Sequence, residues 1–364
     1  MKKSSRHEIE KVNESDRLYV GIDLGDRWGH YCIQNAEGEA VESGKTKMTA
    51  DALTKHFPGG QPMRIAIETG TQSNWVRSHL AALGHEVIVA NARELQAITR
   101  SDRKSDPEDA RKLAMYVRID PRILHPIQHR SMEVQQDLAI IKARDGLVRV
   151  RTVLINAARG LAKTCGHRLP SCASAYFASR CRTTLPRALE ASVGKLLDEI
   201  DHLTQQISKL DFEVRTLAAE RYPETVRLTQ VPGVGPITAL TYVLTIEDPG
   251  RFPKSRTMAS FLGLRPRQSQ SGQRDPQLGI TKAGNRHLRW LLVECAHVLM
   301  SRRSPDSRLK RWGLRLCERG GKNAKKKALA AVARKLSVLL HRLWISGQPY
   351  DPFYGSSAAG QSAA

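Results

Sequence analysis

Asp23, Glu68, Asp106 and Asp109 are the residues of this 364-residue sequence whose type and spacing point to chemistry. Two of them stand in "RSDRKSDPEDARKLAMY" (100–116), where acids crowd together in a chain of 58 Lys and Arg against 36 Asp and Glu. Residues three apart on a helix share a face, so Asp106 and Asp109 point together while Glu108 points elsewhere. Carboxylates meeting in water repel one another, but hard oxygen donors are what Mg²⁺ takes. One or two such ions can activate a nucleophile and stabilise a leaving oxygen on phosphate. Each acid also has a plainer reading. Asp106 before Pro107 makes a good N-cap, and Asp109 then suits the positive end of the helix dipole. Asp23 could simply end a strand and Glu68 cap the helix after it. Asp26 and Asp102 are the nearest substitutes.

The elements around these acids give them a common address. "RLYVGIDLG" (17–25) reads as a buried strand, and "GHYCIQNAEGEAVESGKTKM" (29–48) as two more around a turn from Asn35 to Gly38. A short helix near Ala50 to His56 and the strand "RIAIET" (64–69) follow. "QSNWVRSHLAALG" (72–84) is a helix closed by Gly84, "HEVIVAN" (85–91) a fifth strand, and "DPEDARKLAMYVRI" (106–119) a helix. Three meandering strands, then helix, strand, helix, strand, helix, is the order of an RNase H-like domain, expected over 17–125 after a polar extension at 1–16. In that topology the first strand, its neighbour's edge and a later helix bring acids to one end of the sheet.

The remainder of the chain is expected to be mainly helical. Ile140, Ala143, Leu147, Val150, Leu154, Ala157 and Leu161 step by three and four, and so do Leu189, Val193, Leu196, Ile200, Leu203, Ile207, Leu210, Val214 and Leu217. That is coiled-coil patterning, read as a helical linker over 126–222. Its arms, each roughly 45 Å long, are joined through 166–185 and either form a hairpin within one chain or pair with another copy. From Leu228, "LTQVPGVGPITALTYVLTI" has a Gly-x-Gly turn like that of a helix-hairpin-helix. There the backbone N–H groups around Gly233 and Gly235 can face a DNA phosphate, or the glycines can serve only as a tight turn. A loop around 265–284 and a helix from about 285 follow in a C-terminal domain over 223–348, with a disordered tail at 349–364.

Charge names the partner class. Residues 251–345 hold 23 Lys and Arg against four acids, a net +19 within the chain's +22. So lopsided a sum points to nucleic acid. Arg265, Arg267, Arg274, Lys282, Arg286 and Arg289 surround the 265–284 loop and are the candidate phosphate contacts. The six cysteines show no C-x-x-C pair and no ligand-like spacing with histidine, which argues against structural zinc. The N-terminal residues have no apolar core of the kind a secretion signal needs, and no apolar run approaches membrane-spanning length. A cytoplasmic protein with reduced thiols and no membrane partner is expected.

"GIDLGD", "AIETG", "KSDPEDARKLA", "VPGVGPITA", "RFPKSRTMASFLGLRPRQSQSG" and "KAGNRHLR" together resemble the DEDD-type insertion-sequence transposases, recombinases guided by a bridge RNA. The resemblance spans nearly the whole chain. It implies a RuvC-like N-terminal domain, a coiled-coil linker and a C-terminal transposase domain. It puts the family's four acids on Asp23, Glu68, Asp106 and Asp109. It also implies a serine nucleophile on DNA phosphate at Ser271, with Ser269 two residues away as the alternative. A structured noncoding guide RNA enters through the resemblance alone. The expected function is cutting and rejoining DNA at element ends and target through a phosphoserine link, by a dimer or tetramer assembled on the heptad helices. The rivals are a Holliday-junction-type nuclease using water, a non-enzymatic nucleic-acid scaffold, and an actin-like ATPase. For the last, "GIDLG" fits but no second glycine-rich phosphate loop is evident in the first domain.

Overall fold

The computed structural model describes residues 17–92, 105–272, 276 and 278–354, and the chain divides into two compact units, Met1–Glu133 and Val134–Ala364. The paired helices and the C-terminal helices thus fall within one unit.

The first unit is built on five strands: β1 (Tyr19–Asp23), β2 (Trp28–Gln34), β3 (Ala40–Lys47), β4 (Arg64–Glu68) and β5 (Glu86–Ala90). Their order across the sheet is β3-β2-β1-β4-β5. The first three run antiparallel, while β4 and β5 run parallel to β1, as expected of an RNase H-like sheet. Two helices, α1 (Ala50–His56) and α2 (Ser73–Ala82), bury Leu53, Val76 and Leu80 in a core shared with Val20, Ile22, Ile65 and Ile67. Thr49 caps α1 by accepting from the Ala52 N–H at 3.4 Å, and Gly84 (φ +93°) closes the turn after α2.

The opposite face carries α3 (Asp106–Ile119), whose Leu113 and Val117 are buried with Tyr19, Ala66 and Ala90. Each such side chain contributes about 1.5–3 kcal/mol on burial. Small residues set how closely the helix approaches. Ala110, Ala114 and Cys32 form one buried cluster, and a Cβ on Gly21 would lie 2.0 Å from the Ala110 carbonyl oxygen and 2.4 Å from the Ala114 nitrogen. Backbone therefore rests on backbone at Gly21.

In the second unit, α4 (Met132–Thr164) and α6 (Lys195–Arg221) lie antiparallel, joined through short α5 (Phe177–Arg182). Asp137 binds the Arg221 guanidinium (2.9 Å) and the Tyr222 hydroxyl (2.6 Å), Arg144 binds Asp211 (2.5 Å), and Arg151 donates to Thr204 (3.1 Å). At the far end, Ile155, Ala158 and Ala162 pack with Phe177, Cys181, Val193, Leu197 and Ile200. The seam on α6 includes the expected Ile200, Ile207 and Val214, and the expected Val193 is buried just before the helix begins. That on α4 does not follow the expected line. Val150 and Leu161 are 49% and 46% exposed, and the buried line, Val134, Leu138, Ile141, Ile155, Ala158 and Ala162, is displaced by about one residue. The displacement follows the polar ties: Asp137, Arg144 and Arg151 recur every seventh residue on the side that faces α6.

Beyond α7 (Thr225–Leu228), α8 (Pro236–Ile246) is the central helix, buried from Thr238 to Ile246. It packs with α9 (Met258–Phe261), α10 (Arg286–Leu299) and α12 (Ala324–Ser346) in an aliphatic core, and Tyr242 donates to the Ser337 carbonyl at 2.6 Å. The basic helix α11 (Arg308–Glu318) lies on α12, with the buried Gly313 against Val332. Residues 349–354 correct the expected disordered tail. The Arg308 N–H donates to the Pro352 carbonyl (2.9 Å), the Tyr350 N–H to Gln230 (2.8 Å), and Arg342 stacks 4.0 Å over Tyr354. Aromatic residues anchor that end of the chain, while residues 355–364 lie outside the described residues. No helix among the described residues is long and apolar enough to cross a membrane.

Candidate active site

Asp23 ends β1 and Glu68 ends β4, and these strands are parallel with Ile22 opposite Ile67. Each acid stands one residue beyond that pair. Opposed residues of neighbouring strands point the same way and alternate along each strand, so both acids project on the face of Gly21 and Ala66, the face that α3 covers. The helix runs antiparallel to β1. Its Ala110 lies over Gly21, so its first turn reaches the strand end where Asp23 stands. Asp106 makes that end explicit: its carboxylate lies 3.6 Å from Nδ1 of His30, and His30 is the β2 residue paired with Asp23.

The plainer reading of Asp106 as N-cap does not hold. Ser105 occupies the cap position with extended backbone (φ −147°, ψ 145°), the Asp109 N–H donates to its carbonyl, and Asp106 opens the first turn. Pro107 fits this first turn because its missing N–H would have had no partner within the helix. Glu108 points elsewhere, held in both oxygens by Arg111 at 2.8 and 2.9 Å, and that guanidinium keeps its carboxyl below the usual carboxylate range. Asp109 is half-buried and Asp106 exposed. Asp26 is exposed, and its carbonyl accepts from the Gln72 side chain at 2.6 Å, as does that of Gly25 at 2.7 Å. Asp102, Arg103 and Lys104 lie outside the described residues.

As a donor set, four carboxylates fit a hard divalent cation. Their gathering is incomplete: among the described residues, no three His, Cys, Asp or Glu side chains stand close enough together to hold a metal ion. The fold thus brings Asp23, Glu68 and the α3 start to one end of the sheet without closing them into a cage. Two residues that the sequence reading passed over help arrange this end. Gln72 ties the β1–β2 turn to α2, and His30 meets Asp106. Only His30 had a legible signal, as an inward-phase residue of β2 two positions before the buried Cys32.

Ser269 and Ser271 belong to the second unit, both exposed, on a loop with a braced base. Pro266 bridges to Ile280, the Arg267 N–H donates to the Gly279 carbonyl and the Thr281 N–H to that of Arg265, each at 2.9 Å. Below them Gly263 (φ +66°) and Gly284 (φ +74°) allow two backbone segments to cross, with the Lys282 N–H donating to Gly263. Arg289 serves this brace, donating to the carbonyls of Leu262 (2.9 Å) and Ala283 (2.8 Å). Arg265, Arg267, Lys282 and Arg286 are exposed, and Arg274 lies outside the described residues. Gly233 (φ +88°) packs toward the Cys295 carbonyl, where a Cβ would come within 2.9 Å, a close approach that a tight turn explains. Gly235 caps α8, and a Cβ there would meet open space.

Two family models match the chain: the DEDD transposase model over residues 20–165 and the "Transposase IS116/IS110/IS902 family" model over residues 226–311. The first contains all four acids and the second contains Ser271. Among curated proteins, the chain is 28% identical over 300 residues to the transposase for insertion sequence element IS1328 of Yersinia enterocolitica, covering 80% of this chain and 87% of that one. It is 29% identical over 290 residues to the transposase for insertion sequence element IS1111A of Coxiella burnetii, covering 77% of each. It is 30% identical over 293 residues to a probable family 20 transposase of Pseudomonas aeruginosa, covering 77% of this chain and 85% of that one. With the acids on one sheet end in the first matched segment and a braced serine loop in the second, the chain belongs to the IS116/IS110/IS902 family of insertion-sequence transposases, enzymes that cut and rejoin DNA.

Proposed function

We propose that the chain cuts and rejoins DNA through a covalent phosphoserine link, with Ser271 as nucleophile and Asp23, Glu68, Asp106 and Asp109 as the acidic set. The observation that carries this reading is the shared sheet end: Asp23 and Glu68 each one residue beyond the Ile22–Ile67 pair, and Asp106 beside the His30 that pairs with Asp23. The four carboxylates would hold one or two Mg²⁺, which when bound stabilises charge on the phosphate oxygens and favours loss of the serine proton. The Ser271 oxygen forms an ester bond to phosphorus as the bond to one DNA strand oxygen breaks. That oxygen departs as a hydroxyl, taking up the proton that Ser271 gives up. Attack by the hydroxyl of a second strand reverses the sequence and restores the serine. The exposed Arg265, Arg267, Lys282 and Arg286 hold phosphates beside the loop, with Arg274 and the Gly233–Gly235 turn as further contacts.

Strand exchange requires more than one copy, so the functional form is a dimer or tetramer, assembled on the heptad-patterned α4 and α6. A structured noncoding RNA guides target choice, read through shape and backbone. The domain plan is an RNase H-like catalytic part, a helical linker and a C-terminal part bearing the serine.

The test is to trap the adduct. The full chain is incubated with Mg²⁺ and DNA carrying the element ends, then denatured and probed for DNA bound through serine. Ser271→Ala should abolish both adduct and joining, whereas Ser269→Ala should keep them. Joining at the normal rate by Ser271→Ala would instead favour a water-using nuclease.

A further inference from the structure

Two rungs of the β1–β2–β3 ladder finish the sheet beside the acids. On one, Asp23 pairs with His30 and His30 with Lys45; two rungs further outward, beyond Gly29 and Thr46, Trp28 pairs with Lys47. Residues two apart on a strand share a face, so Trp28 projects on the face of His30 and Asp23, roughly 7 Å further along. Trp28 is 50% exposed, and the Lys47 ammonium lies over its ring at 5.6 Å from the centroid. Lys45 and Lys47 are both exposed. Of the other four tryptophans, Trp75, Trp312 and Trp344 pack against hydrophobic cores, while Trp290, 52% exposed, lies in the second unit with its ring stacked on that of His287. A half-exposed indole with one cation over its ring and a second two residues along the same strand face, two rungs from the Asp23 carboxylate, matches the two chemistries of an unpaired nucleotide. Its base has a π-face and its phosphate a negative charge.

We infer that Trp28, Lys45 and Lys47 form a binding site for the DNA strand being cut, with an unpaired base stacked on the indole and a neighbouring phosphate held by the lysines. The site rests on the reading of Asp23 and its partners as the cleavage centre. Base–aromatic stacking tolerates any base, because every base has a π-face. The platform therefore positions the strand without selecting its sequence. DNA is the assigned occupant because its phosphates are what the adjacent acids act on. Trp28 is a positioning residue, so its effect lies in binding more than in turnover.

The test uses the full chain with Mg²⁺ and a short single-stranded DNA carrying 5-iodouracil, irradiated and digested to map the attached peptide. Attachment is expected at Trp28, competed by unlabelled DNA and poorly competed by RNA of the same sequence. Trp28→Ala should lose the crosslink and raise KM for cleavage about 5- to 100-fold with little change in kcat, while Trp28→Phe retains both. Crosslinks confined to the second unit, or an unchanged KM in Trp28→Ala, would overturn the site. RNA competing better than DNA would overturn its assignment to the cut strand. Asp23→Asn separates this inference from the reading beneath it, since it should keep the crosslink and lose cleavage. Normal cleavage by Asp23→Asn would sink the cleavage centre, whereas an unchanged Trp28→Ala beside an inactive Asp23→Asn sinks the platform alone.

Discussion

Replacing Gly21 by alanine should uncouple the acids without touching any of them. The added Cβ would stand 2.0 Å from the Ala110 carbonyl oxygen, where ordinary contact begins at 3.4 Å, so α3 must retreat by roughly 1.4 Å (3.4 less 2.0) or tilt. The obstacle is helix backbone, so no trimming of α3 side chains relieves it, and Ala110→Gly should not rescue the variant. Overpacking of this kind costs about 1–3 kcal/mol, equivalent to a fall of roughly 4–12 °C in the melting of a unit this size. The functional loss should be larger than the structural one. A displacement near 1 Å between groups that must act together costs on the order of 100-fold in rate, and α3 carries Asp106 and Asp109 while β1 carries Asp23. The assay pairs thermal melting with Mg²⁺-dependent DNA cleavage by the full chain. Gly146→Ala serves as control, since its Cβ would meet nothing within 4 Å. A Gly21→Ala protein that melts and cleaves like the parent would refute the close-packed account of how α3 is positioned.

Other perturbations separate the remaining parts. Asp109→Asn should lower cleavage by more than about 100-fold, while Glu108→Gln, which only frees Arg111, should change it less than about twofold; equal losses in rate assays would mean that the two faces of α3 are misassigned. Gly263→Ala brings a Cβ within 2.0 Å of the Ala283 carbonyl at a φ of +66°. It should disorder the base of the Ser271 loop, seen as faster amide exchange there, and abolish joining while the first unit keeps its stability. His341 is buried, with Nδ1 2.9 Å from the Ser255 hydroxyl and Nε2 3.0 Å from the Pro249 carbonyl, and burial holds its pKa below the ordinary value. Folding thus disfavours its protonated form. Its contribution is full above about pH 6.5 and is lost as the pH falls from there through the lower folded value, at up to about 1.4 kcal/mol per pH unit. His129 and His287 shift in the same direction, so His341→Gln should flatten the acid side of a pH–melting curve without abolishing its slope.

The first unit was legible because its signals are local. Alternation in "RLYVGIDLG" and "RIAIET", the Asn35–Gly38 turn and Gly84 each mark an element by its own residues, and the observed bounds differ by one or two positions. That Asp23, Glu68 and the start of α3 would share one end of the sheet was legible because a known element order predicts which strand and helix ends converge. What escaped depends on contacts made across the chain. Nothing near Gly21 announces that a helix 90 residues later rests on it. Arg289 looks like any phosphate-binding arginine until the carbonyls of Leu262 and Ala283 are seen to take it. The tail was read from its small and polar end, "GSSAAGQSAA", while the preceding "PYDPFY" carried the aromatic anchors.

The displaced seam of α4 has a consequence for folding fidelity. Two parallel apolar lines run along that helix, one buried and one bearing Val150 and Leu161 at the surface, and they differ by about 100° of rotation about the helix axis. Aliphatic packing alone discriminates weakly between them. Turning α4 by one residue would leave Asp137 without Arg221 and Tyr222, Arg144 without Asp211 and Arg151 without Thr204. These ties act as a rotational key, in which polar pairs penalise the wrong setting more than they strengthen the right one. Removing Asp211 and Thr204 together should yield a chain that still forms both helices but no longer settles on a single phase between them.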